Sequence, residues 1–113
     1  MKLKITMDGI NVQDIGFRAF LAEKALAWGI YNYQAIKAWP GEDQSKLIIK
    51  IEAEDKRIAN FLRVLQQIEY SGVSIAKISS ENYEGDIVSL LVYMSALTCE
   101  IGRGLDNLKH ENQ

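Results

Sequence analysis

The sequence predicts one α+β domain with the element order β-α-β-β-α-β, followed by an additional C-terminal helix. Two segments predict the sheet, because apolar and polar residues alternate over residues 1–7 and again over residues 47–53. Helices are predicted where apolar residues recur at intervals of three and four, between the strands and again after residue 85. A chain of 113 residues has the size of one domain, which buries about two thirds of the surface that its unfolded form exposes.

The first strand and the first helix have clear patterns. Met1, Leu3, Ile5 and Met7 alternate with Lys2, Lys4 and Thr6, which predicts a strand with one buried face. A loop over residues 8–14 precedes a helical repeat of apolar residues at Phe17, Phe20, Leu21, Ala25 and Trp28. Gly29 supplies the C-terminal stop of this helix.

A hairpin and a second helix follow. Residues 31–39 are predicted to form a strand, residues 40–43 (Pro-Gly-Glu-Asp) a turn, and residues 47–53 the next strand. Asp55 can cap a helix with one apolar stripe, and residues 73–79 form a short fourth strand. This order is the ferredoxin-like arrangement, an antiparallel sheet with both helices on one face. Many unrelated functions use it, so the fold alone decides little about activity.

The C-terminal segment is predicted to be a helical extension over residues 86–110, after a polar link at residues 79–85. Asp86 can cap this helix, whose first half is apolar nearly all round. The helix can pack on its own sheet or pair with a second copy, and we favour a homodimer. The predicted interface consists of Ile87, Leu90, Leu91, Met94, Leu97 and Ile101. Polar residues interrupt the segment, so no membrane span is expected.

Composition excludes several classes of function. The net charge is -2, the pI is near 5.4 and the charges are scattered, so nucleic-acid binding is not expected. The start of the sequence lacks the apolar core of a signal peptide, and we expect a cytoplasmic protein. Cys99 is the only cysteine and His110 the only histidine, so no metal site and no cofactor are predicted. We expect Cys99 to be a small buried residue.

One segment has a pattern that fits anion binding. Residues 12–18 lie between a strand and a helix N-terminus, where unpaired N–H groups and the helix dipole attract negative charge. Arg18, in the first turn of the helix, adds a charged guanidinium fork. The predicted ligands are small anions, namely phosphate, an acyl phosphate or a carboxylate.

The same segment resembles the signature of the acylphosphatase family. The pattern Val-Gln-x-x-Gly-Phe-Arg, followed by Phe20, Ala25 and Gly29, matches it, and the resemblance covers residues 1–80. Members of that family hydrolyse carboxyl-phosphate bonds without a metal ion or a covalent intermediate. The resemblance implies that Arg18 binds the phosphoryl group together with the backbone amides of the loop residues Gln13, Asp14, Ile15, Gly16 and Phe17.

The sequence departs from the family pattern at two important positions. Ile36 occupies the place of the asparagine that positions the attacking water in that family. Asn32 and Gln34 lie on the same strand face, but they are roughly 7 to 13 Å away along the strand. Asp14 replaces a loop glycine. We hypothesise that Asp14 caps the helix and substitutes internally for the phosphate.

Three functional hypotheses follow from these residues. The first is an acylphosphatase-like protein with lost or weakened hydrolase activity that serves as a binding or assembly module. In the second, a functional acylphosphatase hydrolyses acyl phosphates, and Gln34 or Asn32 orients the water. The third is a ligand-sensing domain in which a dimer interface, rather than the loop, binds a small molecule.

Overall fold

The computed structural model of the chain describes residues 1–38 and 45–111, with side chains as far as residue 102. It contains seven elements in the predicted order, and the additional C-terminal helix is the last of them. They are β1 (Lys2–Ile10), α1 (Ile15–Ala27), β2 (Asn32–Ala38), β3 (Ser45–Glu52), α2 (Asp55–Gln67), β4 (Ser74–Asn82) and α3 (Leu90–Glu111). The predicted turn at residues 40–43 lies outside the described residues.

The four strands form one antiparallel sheet in the order β2-β3-β1-β4. In the two central strands, Ile5 lies opposite Ile49, and β2 pairs with β3 as the predicted hairpin requires. Alternate residues of β1 and β3 are buried under α1 and α2, with side chains such as Phe17 and Phe61 between the layers. The predicted ferredoxin-like fold is therefore confirmed.

Strand β4 is longer than the sequence pattern indicates. It continues to Asn82, which lies opposite Leu3, so part of the predicted polar link belongs to the sheet. The last residues of this strand are exposed and polar, which leaves no apolar alternation to mark them. Their strand conformation is set by the backbone ladder with β1.

Two of the three predicted helix caps differ in the structure. The α1 cap is confirmed, because the Asp14 side chain accepts a hydrogen bond from the Phe17 N–H. Helix α2 has Glu54 at its N-cap without a side-chain bond, so Asp55 lies in the first turn, where it favours the helix dipole. Helix α3 begins at Leu90, and the Ser89 hydroxyl, rather than Asp86, accepts a bond from the Val92 N–H at 3.2 Å.

The late start of α3 has a physical reason, because the residues before it are bonded to the edge of β2. The Tyr33 N–H donates to the Val88 carbonyl at 3.0 Å, and the Leu90 N–H donates to the Tyr31 carbonyl. The Val88 N–H donates to the Gln34 side chain at 3.2 Å. These bonds hold the segment in an extended conformation until Ser89.

Helix α3 then runs beside β2 and α1. Leu90, Tyr93 and Leu97, at helical spacing, are buried in the core of the chain. Between β4 and α3, the connection crosses the open face of the sheet, where Lys2 Nζ donates to the Gly85 carbonyl. None of the helices in the described part of the chain has an apolar stretch long enough to cross a membrane.

Candidate anion-binding site

The loop before α1 is fixed by its own hydrogen bonds. Asn11 adopts a left-handed conformation (φ 60°), and the Asp14 N–H donates to the Asn11 carbonyl at 3.0 Å. The Gln13 amide donates to the carbonyls of Ala38 and Lys46, which ties the loop to both strands of the β2–β3 pair. The loop is therefore held against the sheet in one position.

Several N–H groups that could bind an anion are already occupied. The Phe17 N–H donates to the Asp14 carboxylate at 3.1 Å, and the Arg18 N–H donates to the Asp14 carbonyl at 2.9 Å. With the Asp14 N–H, which is bonded to Asn11, three amides of the loop and the first helical turn are satisfied inside the chain. These contacts support the hypothesis that the Asp14 carboxylate takes part of the place of a bound anion.

Gly16 has a packing reason as well as a possible binding role. A Cβ atom at this position would lie 2.6 Å from the Tyr70 hydroxyl, so a larger residue would require the end of the tyrosine side chain to move away from the start of α1. The Tyr70 ring packs on Phe17 and Phe20, with ring centroids 5.6 and 5.3 Å away. The Gly-Phe part of the family signature therefore also serves the packing of the helix N-terminus.

Arg18 is buried, and each of its three guanidinium nitrogens donates one hydrogen bond. Its Nη1 and Nη2 atoms donate to Glu100 Oε2 and Oε1 at 2.9 and 2.8 Å, and Nε donates to the Gln13 carbonyl at 2.8 Å. The side chain of Arg18 is only 6% exposed. A two-bond arginine–carboxylate pair is among the stronger hydrogen-bonded contacts in proteins, and a bound phosphate would use the same guanidinium atoms.

The surrounding charges stabilise the ionised form of Glu100. Hydrogen bonds from Arg18, and a weaker contribution from Lys37 at 3.4 Å, lower the pKa of Glu100 to about 2. The hydrogen bond to Glu100 in turn raises the pKa of Arg18. Burial raises the pKa of Tyr93, while the positive charge of Arg18 opposes this change. The centre of the candidate site is thus occupied by an ionised carboxylate from α3.

The structure brings Arg18 and Ile36 into one cleft. Helix α3 and strand β2 form its walls, and Gln34, Lys37, Tyr93 and Glu100 also line it. Ile36 is 45% exposed, and its side chain has no polar group that could hold a water molecule.

The two residues considered as replacements for the missing asparagine have other contacts. The Gln34 carbonyl oxygen accepts a bond from the Val88 N–H at 3.2 Å. The Asn32 amide lies 3.5 Å from Glu52 Oε1, on the side of the neighbouring strand. Neither contact directs the side chain toward Arg18, so the geometry does not favour either residue as the group that orients water.

Sequence reasoning missed Glu100, although a signal for it exists. Glu100 continues the spacing of Leu90, Tyr93 and Leu97, so it lies at the end of the buried stripe of α3. An acidic residue at such a position needs a partner, because burying an unpaired charge is costly. The sequence does not show that this partner is Arg18, 82 residues away.

The predicted interface residues divide into two groups. Leu90 and Leu97 are buried in the core of the chain, and Ile87 and Met94 are half-buried. Leu91 is 75% exposed and Ile101 is 42% exposed, so these two remain open to a partner. The expectation that Cys99 is buried is wrong, because the thiol lies on the outer side of α3 and is exposed.

Comparison with known proteins gives matches of structure only. No protein-family model and no curated protein sequence matches the chain. Among 43 matching chains of solved structures is full-length HypF in its phosphate- and nucleotide-bound form, at 23% identity and a TM-score of 0.54. That match covers 76% of this chain but only 11% of HypF.

Two further matches are to proteins of similar size. Acylphosphatase from Bacillus subtilis matches at 14% identity and a TM-score of 0.52, with 76% of this chain and 89% of that chain covered. A putative PII-like signalling protein from Thermus thermophilus matches at 14% identity and a TM-score of 0.51, with coverage of 74% and 88%. The chain therefore has an acylphosphatase-like fold.

Proposed function

We propose that this protein is an acylphosphatase-like module whose anion site is closed by its own C-terminal helix, and that it acts in binding and assembly rather than in hydrolysis. The two-bond contact between Arg18 and Glu100 carries this proposal. Glu100 occupies the guanidinium donors that a phosphoryl group would need. In this function, Arg18 holds α3 on the domain.

The energetic cost of opening the site supports the proposal. An anion must displace a carboxylate that is tethered to the same chain, and tethered groups compete at effective concentrations of about millimolar or above. Helix α3 is also packed through Leu90 and Leu97, which holds Glu100 near Arg18 without a further entropic cost. A weakly bound small anion in solution would not displace it.

The residue at position 36 supports the absence of hydrolysis. A phosphoryl group that reached Arg18 would still need a water molecule held in line for attack, since positioning supplies a large part of catalysis. Ile36 has no polar atom, and Gln34 is bonded to Val88. The cleft can therefore bind an anion once Glu100 leaves, without the group that would orient the nucleophile.

The outward face of α3 supports the assembly part of the proposal. Leu91 (75% exposed), Leu26 (50%) and Tyr31 (59%) surround an apolar groove, and Val88 and Val92 are exposed near them. These side chains form a contiguous exposed apolar patch, the kind of surface that marks an interaction site. Residues 87–99 carry no charge, so the α3 part of this face can pack without burying one, while the Arg57 guanidinium lies 5.8 Å from the centre of the Tyr31 ring. We propose a homodimer here.

An assay of benzoyl phosphate hydrolysis tests the closed site. We expect no turnover by the natural protein above that of Arg18→Ala. The Glu100→Ala variant should gain thermal stabilisation from millimolar inorganic phosphate. The natural protein and Glu23→Ala, which removes an exposed acid from α1, should not respond. Turnover that depends on Arg18 in the natural protein would overturn the proposal and favour the functional acylphosphatase.

A separate experiment tests the α3 homodimer. Leu91→Lys introduces a charge into the groove and should weaken the α3 homodimer. The molecular mass measured by analytical ultracentrifugation should therefore fall. Ala59→Lys adds the same charge at an exposed position of α2 that lines neither groove and should leave the mass unchanged. Equal masses for all three proteins would remove α3 as an interface.

A further inference from the structure

The outer edge of β4 is an open strand edge. Within the described residues, β4 pairs with β1 on one side only, and every one of its residues is exposed or half-buried. It contains no proline. Proteins protect such an edge with charges, proline, bulges or a covering element. The β4 edge has Lys77 and a bulge but, within the described residues, no covering element, whereas the opposite edge is covered by α3 and the segment before it.

The ladder with β1 determines which backbone groups point outward. The Tyr83 N–H donates to the Lys2 carbonyl at 3.2 Å, so these two residues form a hydrogen-bonded pair. Because bonded and non-bonded pairs alternate along an antiparallel ladder, the backbone groups of Glu81, Ser79 and Lys77 also face β1. Those of Ile78, Ser80 and Asn82 therefore face away from the sheet. A bulge opposite Asp8 and Gly9 ends this regular stretch.

We propose that β4 pairs in antiparallel fashion with β4 of a second copy, about a two-fold axis at Ser79, to form one continuous eight-stranded sheet. In this register Ile78 and Ser80 of each copy exchange their outward N–H and carbonyl groups with Ser80 and Ile78 of the other. The two strands can form hydrogen bonds only where outward-facing N–H and carbonyl groups of one copy lie opposite outward-facing groups of the other. This requirement leaves only a few possible registers.

Charge complementarity favours the register with its axis at Ser79 and favours a second copy of the chain as the partner. With the axis at Ser79, Lys77 of each copy lies directly opposite Glu81 of the other, so the contact contains two cross-strand pairs of opposite sign. Both side chains lie on the open face of the sheet, where Glu81 is already 3.5 Å from Lys4 of its own strand pair. A shift of the axis by one residue to Ile78 or Ser80 loses both pairs.

The helix side of the same edge is apolar. A groove of about 390 Å³ lies between β4 and the end of α2, and Ile75, Ile78, Leu65, Ile68 and Tyr70 are among the residues that line it. In the proposed dimer the grooves of the two copies meet across the axis, near Ile78 of each copy. The proposed contact therefore combines pairs of opposite charge on the open face of the sheet with apolar packing on the helix side.

This contact is independent of the closed anion site and of the α3 homodimer. It uses the β4 edge, whereas α3 lies along β2 at the opposite edge. An experiment on β4 consequently reads out the edge contact whether or not Arg18 binds anions and whether or not α3 self-associates.

Disulfide cross-linking tests the register directly. In a Cys99→Ser background, Ser79→Cys places two cysteines in a non-hydrogen-bonded pair with Cα atoms about 4.5 Å apart, within disulfide range. The matched control Ser80→Cys places its two cysteines more than about 7 Å apart. We expect about tenfold more covalent dimer from Ser79→Cys than from Ser80→Cys under the same mild oxidation. Equal yields, or no dimer from Ser79→Cys, would overturn the proposal.

Charge reversal gives a second, independent measurement. Lys77→Glu or Glu81→Lys alone places like charges opposite each other and should reduce the cross-linking yield of Ser79→Cys several-fold. A mixture of the two single variants can form heterodimers in which both cross-strand pairs between the copies again have opposite sign, while each copy keeps the β1 contacts of its own single variant, so the mixture should recover the yield. A mixture that cross-links no better than either variant alone would show that these residues do not face each other.

Discussion

The two edges of the sheet differ in whether another part of the described chain covers them. At the β2 edge, residues 88–90 bond to the outer backbone of the strand, and α3 packs beside it through Leu90, Tyr93 and Leu97. At the β4 edge the described chain adds nothing. Helix α3 also brings Glu100 to Arg18, so the same helix covers the β2 edge and occupies the guanidinium group of the candidate anion site.

This difference shows what the C-terminal helix adds to the sheet. It covers the β2 edge and contacts Arg18 of α1, and within the described residues nothing covers the β4 edge. The β2 edge should therefore show large effects of substitution on stability. The β4 edge should show small effects on stability and large effects on association.

The largest effect is expected from Leu97→Ala. Removal of this buried side chain leaves a cavity between α3 and the sheet, and the free energy of unfolding should fall by about 3 kcal/mol. Cys99→Ala, at an exposed position of the same helix that does not line the apolar groove, should change it by less than about 0.5 kcal/mol. Urea unfolding measures both values. Equal losses would show that α3 is not packed as described.

A smaller, pH-dependent effect is expected from Glu100→Gln. Because the folded-state pKa of Glu100 is lowered to about 2, ionised Glu100 stabilises the fold above its ordinary pKa near 4.5. This stabilisation is lost as the pH falls from 4.5 toward 2. Since the Glu100 side chain is 41% exposed, we expect a difference of about 1–2 kcal/mol at pH 7.

Unfolding curves of the natural protein and of Glu100→Gln at several pH values check this prediction. The two stabilities should differ at pH 7 and converge toward pH 2, because the natural Glu100 is then losing its charge. Glu23→Gln, an exposed control on α1, should track the natural protein throughout. A difference that does not change with pH would assign the effect to packing instead of the ion pair with Arg18.

The smallest effect is expected at the open edge. Lys4→Gln removes the exposed ion pair with Glu81 and should change the free energy of unfolding by less than about 0.5 kcal/mol. The same urea titration measures it. A loss comparable to that of Glu100→Gln would mean that the two edges do not differ in the way that the structure indicates.

Much of the fold could be predicted from the sequence, because local patterns record local causes. The alternation in β1 and β3 reflects one buried face, and the apolar spacing of α1 and α2 reflects packing on that face. Asp14 could be identified as a cap because a cap bond spans three residues. The position of Arg18 at the start of α1 followed from the same local pattern.

Only the tertiary structure determines the contacts between distant parts of the chain. The end of β4 at Asn82 and the start of α3 after Ser89 depend on backbone bonds to β1 and β2, which leave no periodic trace in the sequence. Glu100 meets Arg18 because the chain crosses the open face and returns along β2. The sequence by itself determined the order of the strands and helices and the buried faces of β1, β3, α1 and α2. The path of the chain determined that an internal carboxylate occupies the arginine, since an ion pair between residues 82 positions apart depends on where both ends of the chain are held.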